Sequence, residues 1–426
     1  MIRTSTLLSL ATLPFFCLAS LAQSYAPKNV IFKGETGYTP AELLAAAGIK
    51  KGAALTVADM NAHTKQLMDT GLFQDVSFTF NGQDLVYQIV PATVLVPIEF
   101  ENLPLTNGPE LDARLRTRFP LYRGKVPVDG GFVDDLRKEL AAALRDEGIE
   151  AHLTAAPFTD QKLVTITAET FTISSPDVSI GAIQLDGASG ELAPLAAKAA
   201  ARVTGAAYSN QGSLNQIETA LNNFYGERGY LGASFHITQG AKPVVDAAGI
   251  HVPFTVAVTE GAPYKLTAVT LAPDFPITQD AFNKQSGLRT GEVVSLLKLR
   301  DSWEFLTHQY RNKGYMRAQI HAEPIFDRAA GTVSYTVTAT PGPVFTMGIL
   351  KVVNLPDELR DALIAAWRIP AGSVFNEGAI RGMPAEQNLS PLLSRAFAVA
   401  NLFYSVKLHD DVKTVDVDLT LERKLP

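Results

Sequence analysis

The sequence is short of cysteine: among 426 residues there is one, Cys17. It lies in the first 22 residues, which read as a removable export signal. Arg3 is the basic start, Leu7 to Leu18 the apolar stretch, and Ser20-Leu21-Ala22 a small-x-small cleavage site before Gln23. Phe15 and Phe16 precede Cys17 where lipid attachment needs Leu and then a small residue, so no lipid anchor is expected. A chain trimmed there has no cysteine, which excludes disulfides, thiolate metal sites and cysteine nucleophiles together. Long apolar runs are missing too. No stretch after the leader approaches 18 consecutive apolar residues, so no direct membrane span by a helix is expected. Nor is there a Lys/Arg cluster of five or more. Without Arg3, 36 basic residues face 43 acidic ones, a formal charge of −7, and such a surface suits neither nucleic acid nor anionic lipid headgroups.

Catalytic signatures are equally scarce. The seven histidines (His63, His152, His236, His251, His308, His321, His409) include no HExxH pair, and no G-x-S-x-G elbow or phosphate loop is present. Asp134-Asp135 would diverge by about 100° on a helix, and Asp410-Asp411 suits a hairpin turn. No enzyme, metal or cofactor is expected. With 46% hydrophobic against 19% charged residues the chain is globular.

What is present is repetition. Gly52/Thr56, Gly205/Ser209, Gly291/Ser295 and Gly372/Asn376 each place a glycine four residues before a helix N-cap, and Gly124/Asp129 is a looser copy. Each helical run ends at a second glycine, Gly71, Gly148, Gly229 or Gly314, where a left-handed C′ residue is predicted; the last copy has Asn401 there. The four glycines are spaced by 77, 81 and 85 residues.

Two alternating runs follow each glycine. Val76, Phe78 and Phe80 precede the Asn81-Gly82 turn, and Leu85, Tyr87 and Ile89 follow it. A further strand and a short helix precede each first glycine, as at Asn29 to Phe32 with Pro40 to Ala47. The unit reads β-α-α-β-β, an α+β fold, with units expected at 27–91, 92–173, 174–261, 262–342 and 343–426. Up-down bookkeeping pairs strand one parallel with strand three and leaves strand two as a free edge. Each unit is then a three-stranded mixed sheet covered by two helices. The joining segments carry Pro91, Pro176, Pro263, Pro341 and Pro343, which stiffen the array.

The helix from Thr56 to Gly71 followed by Leu72-Phe73-Gln74-Asp75-Val76 resembles the signature of the POTRA, or polypeptide-transport-associated, domain. Gly229-Tyr230-Leu231-Gly232-Ala233 and Gly314-Tyr315-Met316-Arg317-Ala318 are similar to a second form of that signature. The resemblance covers the chain after the leader. Repeat five departs from the pattern, with Gly382, Pro384 and Pro391 interrupting its second helix. The resemblance implies a periplasmic array that partners an outer-membrane β-barrel assembly or secretion protein. Repeat five runs to Pro426 with no barrel sequence after it, so the reading is of a free-standing array whose membrane role depends on a partner.

A free edge can accept an extended or unfolded polypeptide as an added strand. The edges expected to do so carry few charges: Ala233, Ser234, Phe235, His236, Ile237 and Thr238 in repeat three, and Ala318, Gln319, Ile320, His321 and Ala322 in repeat four. His236 and His321 are read as solvated strand residues. Phe73, Tyr230, Tyr315, Trp303 and Trp367 are read as core anchors. The alternative function is a structural spacer or adhesion rod built from the same repeats.

Overall fold

The computed structural model describes residues 23–34, 37–105, 108–128, 130–160, 165–240 and 242–423. The export signal read at 1–22 and the cap read at Asp129 lie outside the described residues.

The first block holds β1 (Ser24–Tyr25), β2 (Asn29–Lys33), α1 (Pro40–Ala46), β3 (Leu55–Thr56), α2 (Val57–Asp69), β4 (Phe73–Phe80) and β5 (Asp84–Pro91). The second holds β6 (Leu95–Phe100), α3 (Gly108–Arg118), β7 (Lys125–Pro127), α4 (Phe132–Asp146), β8 (His152–Asp160) and β9 (Thr165–Ser175). The third holds β10 (Val178–Asp186), α5 (Leu192–Ala200), α6 (Gly212–Gly226), β11 (Ser234–Gln239), β12 (Val244–Asp246) and β13 (Gly249–Thr259). The fourth holds β14 (Lys265–Leu271), α7 (Gln279–Gln285), α8 (Leu296–Arg311), β15 (Gln319–Asp327) and β16 (Thr332–Thr340). The last holds β17 (Thr346–Val352), α9 (Asp357–Ala366), α10 (Glu377–Gly382), α11 (Pro391–Val399), β18 (Ala400–His409) and β19 (Thr414–Arg423).

The helices begin where their caps demand. Thr56 Oγ1 accepts the Asp59 N–H at 3.1 Å while the Asp59 carboxylate accepts the Thr56 N–H at 2.7 Å, a reciprocal capping box. Ser209 Oγ accepts the Gly212 N–H at 2.8 Å, and Ser295 and Asn376 accept the N–H groups of Lys298 and Ala379 at 3.3 Å. The second block differs: α4 is preceded by Gly131, which has no side chain to cap with and instead donates its N–H to the Asp69 carbonyl at 2.8 Å.

Gly71, Gly148, Gly229 and Gly314 all adopt left-handed backbone, with φ of 72°, 81°, 82° and 85°. Asn401 does not follow them. Helix α11 ends at Ala400 in extended conformation and Asn401 already lies inside β18, so the chain passes from helix to strand without a left-handed residue.

Each of the five larger sheets places its last strand in the interior. The orders are β2-β5-β4, β7-β6-β9-β8, β10-β13-β11, β14-β16-β15 and β17-β19-β18. Strand one is parallel to strand three in β2/β5, β6/β9, β14/β16 and β17/β19, and strand two is antiparallel to it in β4/β5, β8/β9, β15/β16 and β18/β19.

The expected three-stranded unit is corrected in two places, by β7 and β12, and the interruption expected in the last block is present. Strand β7 joins the second sheet by pairing antiparallel with β6, and β12 pairs with β13 in the third. Gly382, Pro384 and Pro391 break the second helix of the last block into α10, a short 3-10 turn and α11.

Apolar faces meet between helices and sheets. Leu43, Met60 and Leu67 of the first helices and Leu85, Tyr87 and Ile89 of β5 are all buried in the first block, as are Leu136, Leu140 and Leu144 of α4 and Phe171 of β9 in the second. Phe282, Leu299, Leu306 and Tyr310 pack on Val333, Tyr335 and Val337, with Tyr315 and Trp303 joining as anchors.

The chain divides into two compact units. One holds residues up to Ala182 with Thr204–Asn215 and Gln239–Phe254; the other holds Ile183–Val203, Gln216–Thr238 and Thr255 onward.

Candidate functional site: open sheet margins

A three-stranded sheet has two margins, and the fold treats them differently. Along strand one, the chain after the turning glycine folds back and pairs. The Gly205 N–H donates to the Ile180 carbonyl at 2.8 Å and the Ile180 N–H to the Ala206 carbonyl at 2.9 Å. The pattern recurs between Gly291–Glu292 and Leu266 at 2.7 and 2.9 Å, and between Gly372–Ser373 and Met347 at 2.7 and 2.8 Å. In the second sheet the same segment after Gly124 extends into β7. These glycines have φ of 83°, 86°, 79° and 76°, the left-handed turn that returns the chain to the strand. In the first block the equivalent segment, β3, pairs with β1 instead. From the second block onward the strand-one margin is thus covered by its own chain. Among the described residues, strand two ends each of these sheets without a further strand partner.

The residues expected at the site fall mostly on that margin. Ser234, His236 and Thr238 of β11 are exposed and alternate with half-buried Phe235 and Ile237. Gln319 and His321 of β15 are exposed and alternate with Ile320 and Ala322. His321 Nε2 lies 3.1 Å from Thr340 Oγ1 on the neighbouring strand.

Ala233 and Ala318 precede their strands. Their N–H groups close the turn after the helix, donating to the Tyr230 and Tyr315 carbonyls at 3.1 Å, and Ala318 is buried in the core. The β15 margin is also interrupted: Pro324, opposite Tyr335, has no N–H to offer. Pro157 does the same on β8.

Sequence reading expected a strand at Tyr404 to Leu408, within β18, but did not name it among the candidate margins. Strand β18 pairs with β19 over ten residues without a register shift, contains no proline and carries one formal charge, Lys407. Phe403 is 46% exposed and Val406 36%. The helix breaks that set repeat five apart lie upstream of this strand. Its own alternation of Leu402, Tyr404, Val406 and Leu408 was the available signal.

Where blocks meet inside the second unit, a joint recurs. The Tyr264 N–H donates to the Gly229 carbonyl at 2.9 Å and the Phe345 N–H to the Gly314 carbonyl at 2.8 Å. A Cβ at Gly229 would stand 2.6 Å from Val293 Cγ1, and one at Gly314 would stand 2.8 Å from Val374 Cγ1. Beside the second joint Glu377 is buried, with His308 Nδ1 at 2.7 Å, an Arg381 nitrogen at 3.4 Å and an Arg311 nitrogen at 3.6 Å from its carboxylate.

Electrostatics elsewhere serve the fold. Burial pushes the Glu260 carboxyl up, but the Ser189 hydroxyl and amide and the Tyr225 phenol all donate to it and hold it below its ordinary value. Among the described residues no group of three or more His, Cys, Asp or Glu could hold a metal ion, and no helix is long and apolar enough to cross a membrane. The margins offer backbone bonds and shallow side-chain contacts.

Residues 25–92 match the POTRA family, described as the surface antigen variable number repeat. A Treponema pallidum protein described as a candidate outer membrane protein assembly factor is 21% identical over 168 residues, 39% of this chain. The match spans 20% of that relative's length. Among solved structures, POTRA domains 3–5 of Haemophilus influenzae BamA align over 59% of this chain and 98% of theirs, at 15% identity and a TM-score of 0.44. The N-terminal domain of Omp85 from Thermosynechococcus elongatus aligns over 59% of this chain and 100% of its own, at 17% identity and a TM-score of 0.23. Residues 25–92 thus match the POTRA family model, and part of the chain is similar in sequence to a protein described as a candidate outer membrane protein assembly factor.

Proposed function

We propose that this chain is an exported, periplasmic, non-enzymatic scaffold of five POTRA-like units, bounded at 27–91, 92–173, 174–261, 262–342 and 343–426. Its role is to hold extended polypeptides by strand addition during outer-membrane protein assembly or secretion, in partnership with a barrel-bearing protein. The observation that carries this reading is the asymmetry of the margins. From the second block on, the strand-one margin is covered by the chain itself while strand two ends each sheet.

The margins assigned to clients are Ser234–Gln239 of β11, Gln319–Ala322 of β15 and Ala400–His409 of β18. A backbone row reads no sequence, so one margin serves many clients, with selectivity left to pockets at every second side chain. Each net backbone bond contributes about 0.5–1.5 kcal/mol, so four to six bonds less ordering costs give roughly micromolar or weaker binding. Weak holding suits transfer to a partner.

A photo-crosslinking residue at Thr238, His321 or Ser405, in cells making the full chain, tests the reading. Crosslinks to unfolded outer-membrane proteins are expected. They should diminish at position 405 when Phe403→Lys places a charge on the margin. A stable, exported chain that yields no client crosslink at any of the three positions would leave only a spacer.

A further inference from the structure

The second sheet carries a groove that is a face and not a margin. It has a volume of about 760 Å3 and lies wholly in the first unit, between the exposed edge strand β8 and the turn at Ser209–Gln211. Thr170 and Thr172 alternate with the buried Phe171 and Ile173, so they stand on the sheet face directed away from the core. In register with Thr170 are Glu99 on β6 and Ala156 on β8. Phe158, 58% exposed, forms one wall, and Asn210 the other.

The charged groups lining the groove are two carboxylates, Glu99 and Glu101. Glu99 and Glu101 form no ion pair among the described residues; Glu101 takes only the Thr172 hydroxyl, at 2.8 Å. Asn210 has a fixed orientation, because its Nδ2 donates to the Leu103 carbonyl at 2.8 Å and its backbone N–H to the Glu101 carbonyl at 2.8 Å. Its Oδ1 is therefore the acceptor left over, and like Thr170 Oγ1 it is buried without a partner. Two carboxylates without a basic partner and an exposed phenyl ring define one kind of guest. It must bring positive charge and an apolar side chain at strand spacing.

We propose that this groove binds a basic, extended polypeptide segment, with Lys or Arg over Glu99 and Glu101 and an apolar residue against Phe158. The interaction is read from side chains and requires no vacant backbone row, so it is separate from strand addition.

Fluorescence anisotropy with the full exported chain tests it, using two labelled probes: a short alternating Lys/Phe peptide and its Glu/Phe counterpart. The basic probe should bind about tenfold more tightly and lose that advantage as salt rises. The double variant Glu99→Gln/Glu101→Gln, which keeps volume, should abolish the preference, and Phe158→Ser should weaken both probes. A third, neutral alternating Ser/Phe probe, which strand addition would hold but which brings no charge to Glu99 and Glu101, should bind the parent and the double variant alike, which separates failure of this site from failure of strand addition. Equal binding of the two probes, a preference that survives the double variant, or self-association that covers Phe158 in place of peptide would each overturn the proposal.

Discussion

Gly314 and Gly372 show how the same residue type answers two different demands. Both adopt left-handed backbone, at φ of 85° and 79°. A Cβ at Gly372 meets nothing within 4 Å, whereas one at Gly314 meets Val374 Cγ1 at 2.8 Å and the Phe345 carbonyl oxygen at 3.0 Å. Gly372→Ala should therefore cost only the conformational penalty, about 1–2 kcal/mol. Gly314→Ala should cost a further 1–3 kcal/mol, roughly, for the overpacked joint. Urea unfolding of the two variants measures the difference, and equal costs would remove Gly314 from the joint. Sequence spacing identified both glycines and the turn each makes. It did not show that Gly314 touches the following strand, because that neighbour lies 31 residues away and only packing brings it there.

Glu377 is a second case at this scale. It is a helix-starting acid in the sequence, and in the fold it is 4% exposed beneath His308, Arg311 and Arg381. Glu377→Ala removes a charged hydrogen bond and should destabilise by about 1.5–3 kcal/mol. Thermal melts should show this loss, and His308→Ala should add little to it, since both changes break the same contact.

Among the elements, strands β18 and β19 make the sharpest contrast. Strand β19 is bonded on both sides, to β17 and β18, while among the described residues β18 has a strand partner on one side only. Hydrogen exchange should find the β19 amides from Thr414 to Leu419 protected along their length. In β18, protected amides should alternate with fast-exchanging ones. Uniform protection of β18 would mean its margin is covered and would remove it from the proposed site.

The element order was largely legible beforehand: the hairpins follow from two-residue alternation, the helices from caps and left-handed glycines. The exceptions share a cause. Asn401 fell inside a strand, and β7 joined a sheet, because strand length depends on which partner has free backbone groups. Composition does not carry that information.

At the scale of the whole molecule, stability rests on apolar burial and local hydrogen bonds, with carboxylates adding a pH dependence. The donors from Ser189 and Tyr225 hold the Glu260 carboxyl below its ordinary value. A group so held stabilises the fold above its unfolded pKa, about 4.3, and that contribution is lost as pH falls through the lower folded value. Acid titration of unfolding free energy should therefore show a shallower decline below about pH 4.3 for Glu260→Gln than for the parent chain. Identical slopes would show that its donors contribute nothing to acid sensitivity.

The scarcity of cysteine, the glycine period, the caps and the paired alternating runs were properties of the amino-acid order alone. They determined the α+β class, the kinds of element and the parallel pairing of first and third strands, because each acts within a few residues or through simple chain direction. Which margin of a sheet is closed, which proline interrupts an edge, and where Glu99 and Glu101 stand beside Asn210 were decided only by the tertiary structure. Those outcomes require groups up to about a hundred residues apart to meet, and only packing of the assembled blocks sets such distances.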